Sequence, residues 1–342
     1  MDHLPEQSRP GYHWPIFDRI LCGTMTDRER LGLPDRFVDP RFAETFPAAL
    51  NQLRGIGVTA LAIMCEDPGQ SLTDRFAAGQ MLALLGDPRI NTLDPTVIAL
   101  PGGPVEIGLD PGDLERVMRS LSGLGLDRSW IAKECPRHAV ELRSYAIGKY
   151  PVTNQEYRDF LLATGHSCIP DSWHFRRFPR ERSNHPVYTV SPTDADAYAA
   201  WLARTTGRRF RLPTEAEWEF AAAGFEGLEF PWGQTFEPDR ANTAETGLFQ
   251  SSPVGIFVAG NSPFGVTDMA GNVEEYVSGL YSAYPGGAWV SDHLVEINGA
   301  YRVARGGGFA RFRDLARTRR RHGGNPRSAT YTMGFRLAED IG

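Results

Sequence analysis

Hydrophobic and polar positions along the chain divide it into a helical opening and a longer body of short strands, capped helices and turns. From Phe46 to Ile56 the apolar residues Phe46, Ala49, Leu50, Leu53 and Ile56 recur at helical spacing, which predicts one amphipathic helix. A second follows a capping box at Ser71-Leu-Thr-Asp74, with Leu72, Phe76, Met81, Leu84 and Leu85 on one face and Gly86 and Pro88 as the stop. Near Asp94 the pattern changes. Val97–Leu100 and Val105–Ile107 alternate with the turn residues Pro101, Gly102 and Gly103, and residues 110–130 read as an insertion. His138–Leu142 and Tyr145–Ile147 then resume the strand pattern. Three helices with the same start signal come next: Thr153…Glu156 running to Gly165, Ser191-Pro192…Asp194 running to Gly207, and Thr214…Glu217 running to Gly224. Beyond residue 224 the pattern predicts turns and short strands and no helix.

This reading divides the chain into a helical extension, residues 1–93, and a main domain, residues 94–342. Thirty-six glycines and 25 prolines in 342 residues, with 41% hydrophobic and 23% charged residues, suit a globular α+β fold that is rich in loops. Residues 1–43 carry no clean period. A net charge of −6 argues against a general nucleic-acid binder, and no apolar run approaches the roughly 18 residues that suggest a membrane span. The N-terminus lacks the basic start and apolar stretch of a secretory signal. Cys22, Cys65, Cys135 and Cys168 show no close pairing, as expected of free thiols in a reducing compartment, so a cytoplasmic location is the expectation.

Charge is unevenly spread. Arg302–Arg336 holds ten arginines against one acid, Asp314, and so carries +9, leaving −15 for the rest of the chain. Guanidinium groups grip carboxylates and phosphates bidentately and stack on flat rings. Arg311, Arg313 and Arg320, ringed by Phe309, Phe312 and Tyr331, are therefore a candidate site for an anionic or heterocyclic small molecule. The competing reading is that arginines here pair internally with acids such as Glu215, Glu217, Glu219 and Glu275, above all at Arg305, Arg317 and Arg336.

The stretch Ser262–Val277 is the centre of the pattern. Gly265, Gly271 and Asn272 interrupt an apolar run, and Asp268 and Glu275 bracket the bend, an arrangement that could aim carboxylates and carbonyls at a calcium ion or could simply be an Asx-type turn. His166, Cys168 and His174 lie within nine residues, and Cys135 sits three from His138; both groups read as packing or capping residues before they read as metal ligands. His185 reads as a buried hydrogen-bonding residue.

Seven ordered blocks carry a resemblance: Tyr150–Asn154, His185–Val187, Arg211–Glu219, Pro231–Gly233, Ser262–Tyr276, Arg305–Gly308 and Gly334–Arg336. Together they resemble the sulfatase-modifying-factor superfamily, to which the formylglycine-generating enzymes belong. The resemblance implies a loop-rich fold related to C-type lectins, with helices ahead of the main domain. It also implies a structural calcium held by Asp268 and Glu275 with carbonyls of Gly271 and Val273, and a weak or empty second site near Asn242 and Thr243.

In the formylglycine-generating enzymes two cysteines hold copper; here Arg311 and Ala316 occupy those positions, so no copper is expected and the redox cofactor is unknown. The three-histidine iron site of hercynine-type relatives is also missing, since only His3 and His13 precede residue 93. The resemblance to cysteine-lacking members implies an accessory or tailoring oxidoreductase of a bacterial small-molecule pathway, of the toxoflavin or siderophore-maturation type. The alternative is a non-catalytic ligand-binding or sensor module.

Overall fold

The computed structural model describes residues 41–324 and 332–341, together with residues 29 and 31. Three helices open it: α1 (Phe46–Gln52), α2 (Val58–Cys65) and α3 (Leu72–Leu85). The helix expected through Ile56 stops at Gln52, and α2, with Leu61 and Cys65 buried, was not signalled because its residues are apolar almost throughout and show no single face. Ser71 caps α3 as expected, accepting from the Asp74 amide. These helices share a core with the main domain: Leu61, Phe76, Ala77 and Leu82 pack with Leu248, Ile256 and Phe257. Polar ties reinforce it, since Arg75 donates to the Ile256 carbonyl and Asn184 to that of Gly79.

Strands β1 (Val97–Leu100) and β2 (Gly103–Ile107) lead to α4 (Leu114–Ser120) and α5 (Arg128–Ala132), which fill the expected insertion and bury Leu114, Val117 and Ile131 in a small core of their own. β3 (His138–Leu142) pairs with β2, and β4 (Tyr145–Gly148) with β1. The three capped helices are α6 (Asn154–Thr164), α7 (Pro192–Thr206) and α8 (Glu215–Ala223), each with both capping-box hydrogen bonds formed. α6 and α7 face one another through Tyr157, Phe160, Tyr198 and Trp201, while α8 buries Trp218 and Phe220 in a second core with Met269, Val277 and Val303.

A four-stranded sheet gathers the last three of the matched blocks. β6 (Glu274–Leu280) lies between β7 (Arg302–Arg305) and β9 (Met333–Phe335), antiparallel to the first and parallel to the second, and β8 (His322–Gly323) extends the far side of β7. A second sheet orders β1, β4, β10 (Ala338–Asp340) and β5 (Phe210–Arg211), so the last strand closes against the first ones. Contrary to the expectation for residues beyond 224, a helix forms at His293–Asn298 (α9). Asp292 caps it by accepting from the amides of Leu294 and Val295, and a six-residue element is too short to show helical periodicity. Among the described residues no helix is long and apolar enough to cross a membrane.

Candidate functional site

The bend before β6 is stitched to its neighbours by backbone. Asp268, Gly271 and Asn272 all have positive φ (54°, 76° and 65°), and the amides of Gly271 and Asn272 donate to the carbonyls of Gly306 and Asn242. A Cβ on Gly271 would stand 2.4 Å from the Asn242 oxygen, so only glycine fits. Asp268 is buried and accepts from the Gly255 amide at 2.7 Å and from Thr267 at 3.2 Å, with burial raising its carboxyl pKa.

Glu275, the acid on the far side of the bend, is held by other groups. Its two oxygens take the Nη2 and Nε of Arg336 at 2.7 and 2.8 Å, and one also accepts from the Trp218 indole at 2.7 Å. The expected calcium ligand is thus also the ion-pair partner of Arg336.

Most of the arginine-rich segment is paired in the same way. Arg305 reaches Glu215 at 2.8 Å and Glu219 at 3.0 Å. Arg317 bridges Glu134, at 2.7 Å, and Glu229. Arg321 binds Glu215 and lies 3.9 Å from the centre of the Tyr284 ring. Arg305, Arg317, Arg321 and Arg336 are essentially inaccessible. The segment's positive charge therefore meets acids drawn from α8 and from Glu134, Glu229 and Glu275.

Arg320 belongs with these and not with a ligand site. It is buried, donates to the carbonyls of Arg321 at 2.8 Å and Trp130 at 3.3 Å, and stands 3.7 Å from Asp314. Sequence reasoning placed it with Arg311 because charge density carries no information about depth.

Arg311 and Arg313 remain partly accessible, with side-chain exposures of 20% and 13%. Arg311 donates to Glu274 at 3.2 Å, and the other oxygen of Glu274 lies 2.5 Å from His322 Nδ1. Burial holds the His322 pKa down, at about 4, while His322 and Arg311 hold the Glu274 carboxyl below its usual value against the opposing effect of burial. At neutral pH the arrangement is a carboxylate flanked by a neutral imidazole that donates to it and by a guanidinium. Neither Glu274 nor His322 was singled out from sequence; β6 and β8 are 48 residues apart at this contact.

Beside this trio, Arg313 donates from its amide to Glu245 at 2.9 Å, Thr243 hydrogen-bonds the same carboxylate, and the Thr332 hydroxyl is buried with no hydrogen-bond partner among the described residues. They adjoin one another through the backbone: Arg311 accepts from the Ala244 amide and donates to Gly308, and a Cβ on Gly308 would fall 2.2 Å from the Thr332 hydroxyl. Phe309 is buried with its ring 5.4 Å from that of Tyr188, edge to face, and Phe312 is half-buried. Tyr331 lies outside the described residues. Ala316 is fully buried in an apolar cluster with Phe230, Ala241 and Ala270, so its position offers no ligand atom. Copper does not fit a site with a guanidinium at Arg311 and a methyl group at Ala316.

His185 has the buried role expected. Its ring nitrogens contact Gln80 at 2.7 Å and Ser251 at 3.0 Å, and burial depresses its pKa to about 3.

The chain is a loop-rich α+β domain whose C-terminal sheet carries buried, paired arginines with two partly exposed ones beside them. The chain belongs to the family described as the sulfatase-modifying factor enzyme 1-like domain, whose model matches residues 86–341. It is 32% identical over 315 residues to the mouse (Mus musculus) protein named inactive C-alpha-formylglycine-generating enzyme 2, covering 77% of this chain and 92% of that one. It is also 31% identical to hercynine oxygenase of Mycolicibacterium smegmatis, covering 72% of this chain and 61% of the relative. Among solved structures, PvdO from Pseudomonas aeruginosa aligns over 73% of this chain and 95% of its own, with 28% identity and a TM-score of 0.54.

Proposed function

We propose that this chain is an oxidoreductase-type tailoring protein of bacterial small-molecule biosynthesis, which binds an anionic or heterocyclic substrate in the recess around Arg311, Arg313 and Phe309. The observation that carries the reading is the pair of partly exposed guanidinium groups beside the buried Thr332 hydroxyl, which has no hydrogen-bond partner among the described residues. Such an oxygen costs about 1–3 kcal/mol if left unmatched, a cost that a bound molecule with a donor of its own would remove. Likeness to a hercynine oxygenase supports an oxidative role. The residues at hand supply binding, orientation and a Glu274–His322 pair able to pass a proton; they supply no thiolate pair for copper.

A second reading, a ligand-binding module without turnover, is favoured by the likeness to a relative named inactive across 92% of that protein. One experiment separates them. A thermal-shift screen of anionic heterocycles finds binders, whose affinity is then measured by calorimetry and whose oxidation is followed by oxygen consumption. Binding with oxygen uptake supports the tailoring protein, and binding without it supports the module. If Arg311→Ala leaves the affinity of every binder unchanged, the recess is not the site.

A further inference from the structure

A loop remote in sequence from the arginine-rich segment brings three metal-binding side chains together. Gly165 ends α6 in the left-handed region (φ 67°), so the chain turns back and carries His166 and Cys168 over the first turn of α7. There Asp194 has two tasks. One of its oxygens closes the capping box, accepting from the Ser191 amide at 3.0 Å and the Ser191 hydroxyl at 2.5 Å, and the other lies 2.7 Å from His166 Nε2. The Cys168 thiol hydrogen-bonds the same carboxylate, and the nitrogen, sulfur and oxygen donors all fall within 4.8 Å of one another.

We propose that His166, Cys168 and Asp194 form a binding site for a zinc-class divalent ion. With Zn–N near 2.0–2.1 Å and Zn–S near 2.3 Å, ligands of a tetrahedral ion stand about 3.5 Å apart, a spacing this trio reaches by small side-chain rotations. Thiolate and imidazole donors select such an ion over calcium or magnesium, which prefer oxygen. The scaffold is already ordered: the His166 ring rests against Phe160, with centroids 5.0 Å apart, and Tyr157 donates to the Cys168 carbonyl at 3.2 Å. Cys168 is exposed, so the fourth position faces solvent and takes water. His174, the third candidate in this stretch by sequence, lies outside the trio; the completing ligand comes from the helix that starts at Pro192. Bound there, the ion ties the loop after α6 to the start of α7, over the core that holds Tyr157 and Tyr198.

The test titrates the full chain, without a histidine tag and stripped with EDTA, with cobalt(II) as a visible stand-in for zinc. One equivalent should bind with the absorption of tetrahedral cobalt and a thiolate-to-cobalt charge-transfer band, and zinc should displace it. Cys168→Ser, at an exposed position, should keep the circular dichroism of the parent and lose the charge-transfer band. His166→Gln should weaken binding by more than the roughly 10- to 100-fold typical of losing an outer-shell partner. Zinc should raise the melting temperature of the parent and not of Cys168→Ser. No charge-transfer band in the parent, or a band that survives Cys168→Ser and so reports another cysteine, overturns the site.

Discussion

Two sets of arginines, drawn from one stretch of chain, do different work. Arg305, Arg317, Arg321 and Arg336 are sealed beneath the surface, each against at least one glutamate, whereas Arg311 and Arg313 keep about a fifth or less of their side chains exposed. Residue type and local charge density are the same for both. What separates them is depth: Arg305, Arg317, Arg321 and Arg336 are inaccessible, while the side chains of Arg311 and Arg313 keep 20% and 13% of their exposure. A guanidinium sealed against its carboxylate is scaffold, and one that still reaches the surface can meet a ligand.

The largest test of this contrast is Arg336→Ala. It leaves Glu275 buried beside Trp218 with no cation, and removing one partner of a buried pair costs about 3–5 kcal/mol. The melting temperature should fall on the order of 10 °C. A melt within a degree or two of the parent would mean that the paired arginines are not the scaffold described here.

Acid should weaken the recess next. His322 and His185 titrate in the folded protein at about 4 and about 3, below the ordinary imidazole value near 6.5, because burial disfavours the charged ring. Between those values the unfolded chain binds protons that the folded one refuses, so stability is full above pH 6.5 and falls as pH drops toward 4. Glu156, raised to about 7 by burial, acts in the opposite sense and offsets one of the two. His322→Gln should flatten the loss measured by urea unfolding from pH 7 to 4, by up to about 3 kcal/mol. A parent and variant with parallel pH curves would place His322 in solvent.

Arg320→Ala tests the boundary between the sets. It strips Asp314 of its nearest cation and frees two carbonyls, and should cost about 1–3 kcal/mol without touching ligand affinity. Affinity lost with stability retained would return Arg320 to the recess.

How much of this was readable in the sequence depends on the range of the interaction. The boxes at Thr153, Ser191 and Thr214 and the glycine stops after them are local chemistry, and the helices start and end where those residues say. The helix at His293 was hidden because a single turn and a half offers no period. The surroundings of Arg311 were legible only in part. Phe309 and Arg311 were singled out from composition, but Glu274 and His322 meet across 48 residues, and Glu245 reaches Arg313 across 68. Glu275 read as a ligand for a cation, and the guanidinium that it also holds, Arg336, lies 61 residues on, beyond what spacing could show.

The smallest effect on the fold should come from Arg311→Ala, and it is the sharpest test of the recess. The side chain is partly exposed and its contact with Glu274 is 3.2 Å, while His322 keeps a 2.5 Å contact with the same carboxylate. Loss of Arg311 leaves the buried Glu274 with a neutral imidazole as donor, but the partly exposed position lets water take the guanidinium's place, so the cost to stability should stay at about 1–2 kcal/mol. Ligand binding should respond in the opposite proportion. A charge-assisted bidentate contact contributes about 2–3 kcal/mol, so affinity for an anionic ligand should drop roughly 30- to 150-fold. Arg311→Lys keeps the charge but not the fork and should recover only part of it. Calorimetry and a thermal melt on the same three proteins read both quantities. A melting temperature that falls as far as that of Arg336→Ala would make Arg311 scaffold after all, and the division between the two sets of arginines would disappear with it.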